Sequence, residues 1–106
     1  MKKNLKNAPL KFQQIQYKIL PIFKKQGVLR GAIFGSFALG EERHNSDIDI
    51  LVDLPKDKTL FDLIDLQFML ENALKKKVDV ITYNSLSPLL KDSILREQIP
   101  IYEKGS

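Results

Sequence analysis

Three aspartates and one glycine–serine pair are the residues of this chain whose types and spacing could do chemistry. Asp47 and Asp49 stand two apart within residues 46–53, where Ile48, Ile50 and Val52 alternate with them. Successive side chains of a strand point to opposite faces. Both carboxylates therefore share one face, with Cα atoms about 6.6–6.8 Å apart. Two carboxylates so placed repel each other unless a cation lies between them. Oxygen ligands of this kind suit Mg²⁺, or Mn²⁺ in its place. Mg²⁺ is usually held by one or two carboxylates plus substrate phosphates, so an incomplete protein shell is expected. Asp79, flanked by Val78, Val80 and Ile81, is a third carboxylate, in a run too apolar to bury it without a partner. If its strand lies beside that of Asp47 and Asp49, the three converge. Two metal ions about 3.5–4 Å apart could then clamp the attacking and leaving oxygens of a phosphoryl group.

Gly35-Ser36 offers the complementary half of such a site. A glycine at the end of a strand lets the backbone come close to a phosphate. A serine at the start of the following helix adds a hydroxyl and free backbone N–H groups, which together favour an anion. Phosphate here and metal at the carboxylates would lay a triphosphate across both. Each signal alone is weak: a lone Gly-Ser is far more often a turn, and a lone Asp-x-Asp on a half-exposed strand is usually only solvated. Their order and spacing make the set specific.

The elements that must position these residues follow from periodicity. Residues 9–26 place Leu10, Ile15, Ile19, Ile22 and Phe23 near helical spacing, with Gly27 as a stop and Pro21 expected to kink or divide the helix. Residues 28–34 read as a strand, Gly35-Ser36 as the turn after it, and residues 37–42 as a short helix ending near Gly40. Residues 46–53 are a second strand, and 54–58 a polar break. Residues 59–75 give the clearest helix. Thr59 and Asp62 form a capping-box pattern, and Leu63, Leu66, Leu70 and Leu74 form a stripe that Phe61, Ile64, Phe68 and Ala73 broaden. Residues 77–83 are a third strand and 88–98 a last helix, after which 99–102 return along the core. Three strands interleaved with helices imply an α+β (mixed α/β) domain, a small three-stranded mixed sheet flanked by about four helices.

Length fits one domain, residues 1–106, with 1–8 as a frayed polar lead. The chain is 43% hydrophobic and 28% charged, a globular balance. Its net charge of +4, carried by Lys2, Lys3, Lys6, Lys11 and Lys18 and by the run Lys75-Lys76-Lys77, suits an anionic ligand or an acidic protein face. The plainer reading of the N-terminal lysines is a solubilising surface. With no cysteine there is no disulfide, thiol nucleophile or Cys-type zinc site, and one histidine excludes a His-rich site. Nothing reads as a signal peptide or a membrane span, so a cytoplasmic location without membrane association is expected. Aromatic residues are 8% and offer no stacking platform, so direct nucleic-acid binding is not expected.

Gly35-Ser36, ten intervening residues and Asp47-Ile48-Asp49 resemble the signature of the DNA polymerase beta-like nucleotidyltransferase superfamily. The longer stretch from Phe34-Gly-Ser-Phe-Ala-Leu-Gly-Glu41 to Ser46-Asp-Ile-Asp-Ile-Leu-Val52, with Val78-Asp79-Val80-Ile81, is similar to the minimal nucleotidyltransferase, or MNT, group. The resemblance covers about residues 28–83. It implies the nucleotidyltransferase fold, with Gly35 and Ser36 holding the triphosphate and Asp47, Asp49 and Asp79 binding two Mg²⁺. Asp79 would also help activate the attacking hydroxyl, which attacks the α-phosphate and releases pyrophosphate. Where many relatives carry arginine before the second glycine of the motif, this chain has Leu39. Arg43 and Lys56 are the candidate replacements for that charge, although a solvent-facing role is the plainer reading of both. His44 reads as a loop residue.

Three functions fit. The resemblance implies an MNT antitoxin that transfers AMP from ATP to a tyrosine of a HEPN toxin, docking through the exposed side of helix 59–77 or the C-terminal helix. A small hydroxylated acceptor is the second possibility, a site a homo-oligomer could complete. The third is a non-catalytic antitoxin that neutralises by complex formation.

Overall fold

A computed structural model of the protein describes residues 8–105. The predicted lysines Lys2, Lys3 and Lys6, and residues 1–7 of the predicted polar lead, lie outside them. Helix α1 spans Leu10–Gln26 and runs unbroken through Pro21. The predicted division does not occur, for a packing reason. Pro21 is exposed, so the carbonyl it leaves unbonded faces water. Phe12, Ile15, Ile19 and Phe23 hold the helix from the opposite side. Gly27 stops it in the left-handed conformation at φ 73°.

Strand β1 (Arg30–Phe34) leads directly into α2, which begins at Gly35 itself and ends at Leu39. Strand β2 covers Ile48–Asp53, α3 covers Leu60–Leu74, and β3 covers Val78–Thr82. A single 3-10 turn, Tyr83–Ser85, precedes α4 (Pro88–Glu97). The capping box at the start of α3 forms as the sequence suggests: Asp62 N–H donates to the Thr59 hydroxyl, and Thr59 N–H donates to Asp62 Oδ2 at 2.8 Å. Its far end closes on Lys75 at φ 55°, a left-handed position without glycine.

The sheet has four strands where three were expected. Residues Ile99–Glu103 form β4, hydrogen-bonded to β1, in the order β3-β2-β1-β4. Pro100 and the short Ile-Pro-Ile run hide this strand from periodicity reading, since proline is tolerated on an edge strand but weakens a strand assignment. β1 is antiparallel to β2 and β4, and β2 is parallel to β3, with α3 as the crossover. Helices α1 and α3 cover one face. There Ile19, Phe23, Leu66 and Leu70 pack on Ile33, Ile50, Val52 and Val80. The other face carries Ala32, Phe34, Leu51 and Tyr83, capped by Ile94 and Leu95 of α4.

Phe61, Ile64 and Phe68 do not widen the buried stripe of α3: they are 79%, 43% and 59% exposed. A helix against a sheet buries about one side, and Leu66 and Leu70 fill it.

Candidate active site

The register of β2 and β3 brings the acids together. Asp49 and Asp79 are directly paired across the parallel ladder, and Asp49 also faces Phe34, the last residue of β1. The alternation that buries Ile48, Ile50, Val78 and Val80 against α1 and α3 turns Asp49 and Asp79 to the opposite face. Asp47 lies one residue before β2, exposed.

Electrostatics bind the three into one site. The Asp49 carboxyl is pushed above its ordinary 3.8, first by burial, then by the negative charge of Asp79 and of Asp47. An acid half withdrawn from water beside two like charges resists ionisation until a cation arrives.

Gly35 closes the site from the side of β1. It adopts φ 72°, and a Cβ added there would collide with Asp49 Oδ2. No other residue type meets both demands, so the glycine has a double physical cause. The chain then turns into α2, with Ser36 as its second residue and half-buried; the Ser36 carbonyl accepts the Glu41 N–H at 2.8 Å. The five sequence-predicted site residues thus gather at one end of the sheet, where β1 ends and β2 and β3 begin.

Among the described residues no three His, Cys, Asp or Glu side chains close into a preformed metal cage. The set is open, as expected where phosphate oxygens complete the shell. Oxygen-only donors and a mutually repelling acid cluster beside a Cβ-free backbone fit a divalent cation shared with a polyphosphate.

Two contacts that sequence reading missed hold the loop bearing Asp47. Lys11 of α1 pairs with Glu42 at 2.6 Å, and this hydrogen bond holds the Glu42 carboxyl below its ordinary range. Lys76, just beyond α3, donates to the His44 carbonyl at 3.0 Å. Both partners lie 31 or 32 residues apart, so no local pattern signals them. The predicted loop place of His44 stands, and its side chain is exposed. Of the two candidate replacements for the missing arginine, Arg43 lies in this loop at the acidic end. Lys56 does not: it follows β2 at the other end of the sheet, beside Pro55 and Thr59, too far along the strand to reach the acids.

A second cluster was also unforeseen. On the acid face, but at the opposite end of the sheet, the Arg30 guanidinium lies 4.1 Å from the Tyr83 ring centroid and 3.7 Å from Asp53 Oδ2. The Tyr83 hydroxyl donates to Gln98 Oε1 at 2.8 Å, and burial pushes its pKa up. The cluster pins α4 onto the sheet.

Comparison with known proteins agrees with this geometry. The family model described as polymerase beta, nucleotidyltransferase, matches residues 17–106. A candidate protein adenylyltransferase of Methanocaldococcus jannaschii is 50% identical over 92 residues, spanning 87% of this chain and 99% of that protein. Protein adenylyltransferase MntA of Thermococcus cleftensis is 35% identical over 97 residues, 87% of this chain and 97% of that one. Among solved structures, a candidate minimal nucleotidyltransferase superposes with a TM-score of 0.71 at 34% identity, covering 92% of this chain and 96% of the other. A complex of tri-AMPylated Shewanella oneidensis HEPN toxin with an MNT antitoxin contains a chain of the same fold, with a TM-score of 0.68 at 21% identity, covering 88% and 73%.

Proposed function

Since the chain belongs to the polymerase beta nucleotidyltransferase family, we propose that it transfers AMP from ATP to a hydroxyl of a partner protein, a tyrosine of a HEPN-type toxin, and so acts as an antitoxin. One observation carries this reading: Asp49 stands beside Asp79 in the ladder with Gly35 against its carboxylate, and burial, then the charges of Asp79 and Asp47, hold it short of easy ionisation. The relatives named protein adenylyltransferases support a protein as the acceptor, and the AMPylated toxin complex, alike in fold, suggests the choice of a HEPN toxin.

Asp47, Asp49 and Asp79 would hold one or two Mg²⁺, whose charge offsets that of the phosphates and of the departing pyrophosphate. Gly35 leaves room for the triphosphate to approach the β1–α2 turn, and Ser36 orients it with its hydroxyl. Asp79, exposed at the start of β3, accepts the proton of the incoming hydroxyl. Its oxygen then attacks the α-phosphorus in line, the new O–P bond forms, and the bond to the β-phosphate oxygen breaks. Positioning and preorganised charge supply most of the rate. The acceptor must reach the acid face, where α4 presents Leu89 and Leu90, 93% and 56% exposed, as apolar contacts for a helical partner.

The test is transfer itself. The protein is purified with a co-encoded helical partner, given ATP labelled at the α-phosphate and Mg²⁺, and the partner is assayed for label. Label on a partner tyrosine, lost in Asp47→Asn and Asp49→Asn, is the expected result. Persistent labelling in both variants would overturn the metal-site assignment, and neutralisation of the partner without labelling would overturn transfer.

A further inference from the structure

The face of the molecule opposite the acids carries side chains that folding leaves uncovered. Tyr17 of α1 is 82% exposed, and Phe61 and Phe68 of α3 are 79% and 59% exposed, with Ile64 between them. Single exposed apolar residues need no explanation, but a group of this size on one helical layer marks an interaction surface.

Charge and direction say what covers it. Helix α1 carries Lys11, Lys18, Lys24 and Lys25 and no acid, while α3 carries Asp62, Asp65 and Glu71 and no base. The two helices pack side by side on the same sheet face. They run in opposite directions, because α1 enters β1 at the end of the sheet from which α3 departs. Two contacts fix their levels. Lys11 and Gln14 line one groove with Leu74 and Lys76, and Gly27 lies beside Lys58. Tyr17 is therefore level with Phe68 near mid-layer, and Lys24 and Lys25 are level with the segment from Phe61 to Asp65.

We propose that this layer is the interface of a two-fold homodimer, with α3 of each protomer packed antiparallel on α1 of its partner. A two-fold axis parallel to the helices and midway between them leaves every level unchanged. It lays the basic helix over the acidic one twice, Tyr17 on Phe68 and Lys24 and Lys25 on the Phe61–Asp65 segment. The contact is isologous and closes at two copies. It leaves both acid faces outward, so the dimer is compatible with a partner docking at each site and does not depend on the proposed reaction.

The test uses two variants altered at exposed positions, Asp65→Lys with Phe68→Lys and Tyr17→Glu with Lys24→Glu. Each is checked for native circular dichroism and studied by sedimentation velocity. The native chain is expected at twice its 12.2 kDa mass. Each variant alone is expected at the monomer mass, because like charges meet at both halves of the contact. An equal mixture of the two is expected to return to the dimer, since one half of the mixed contact is native and the other pairs new opposite charges. A native chain that stays monomeric as concentration rises overturns the proposal, as does a variant that stays dimeric or a mixture that stays monomeric. A monomeric native chain whose α3 variant instead loses the helical partner would assign this face to that partner.

Discussion

At the scale of single residues, the site is an arrangement of repulsions. Asp49 is caught between burial and two like charges, so its raised pKa carries a sign. Without metal, the unfolded chain releases this proton at the ordinary 3.8 while the folded chain still holds it. The contribution to stability is thus full below the unfolded pKa and is lost as pH rises through the folded one. Metal-free thermal melts are expected to show this loss, to lose that component of it in Asp49→Asn, and to recover stability when Mg²⁺ with a non-hydrolysable ATP analogue is added. In transfer assays Asp47→Asn, Asp49→Asn and Asp79→Asn are each expected to lower kcat by about a thousandfold, the equivalent of roughly 4 kcal/mol of lost transition-state stabilisation. Gly35→Ala is expected to cost about 1–3 kcal/mol of stability from its left-handed backbone. It should also abolish transfer, because the new Cβ displaces the Asp49 carboxylate; denaturant melts and the labelling assay check the two effects separately.

At the scale of elements, caps and clasps set the positions that the acids need. Thr59→Ala removes the capping box of α3 and is expected to cost about 1 kcal/mol in urea melts while transfer stays intact. Lys75→Gly is expected to gain about 1 kcal/mol, since a non-glycine residue there holds φ 55°. The Lys76–His44 contact is exposed, so cutting it costs little stability, whereas the Lys11–Glu42 pair is partly buried and costs more to cut. Lys11→Met with Lys76→Met is expected to raise the Mg²⁺ concentration needed for half-maximal transfer several-fold, by freeing the loop that carries Asp47. A metal titration at saturating ATP measures it, and an unchanged midpoint would remove the positioning role. The helices, the capping box and the first three strands are legible in local sequence, because periodicity and capping are properties of neighbouring residues. Pro21 and the exposed Phe61, Ile64 and Phe68 are not: whether a proline breaks a helix, or an apolar residue is covered, depends on what packs on the other side.

At the scale of the whole molecule, β4 is the element whose loss is felt furthest. It covers the outer edge of β1, and Ile101 is buried in the main core. A chain truncated before Ile99 leaves that edge unpaired, and it is expected to aggregate or lose its cooperative thermal transition. Circular dichroism melts and light scattering test this. Among the described residues no helix is long and apolar enough to cross a membrane. The two sheet faces divide the work: α1 and α3 seal one, and the acids and α4 share the other.

The five residues gathered at the acidic end, their order and the strands that carry Asp49 and Asp79 could be read from the chain alone, because strand alternation and glycine's freedom are local physics; that Gly35 and Ser36 already belong to α2 and that Asp47 precedes β2 could not. Whether Asp79 stands beside Asp49 could not, for that depends on a parallel pairing brought about by α3 and the turns on either side of it. The fourth strand, the lysine clasps on the Asp47 loop, the Arg30–Tyr83 cluster and the remoteness of Lys56 likewise came only from the folded chain. Each joins residues far apart in sequence, and only tertiary packing makes such residues neighbours.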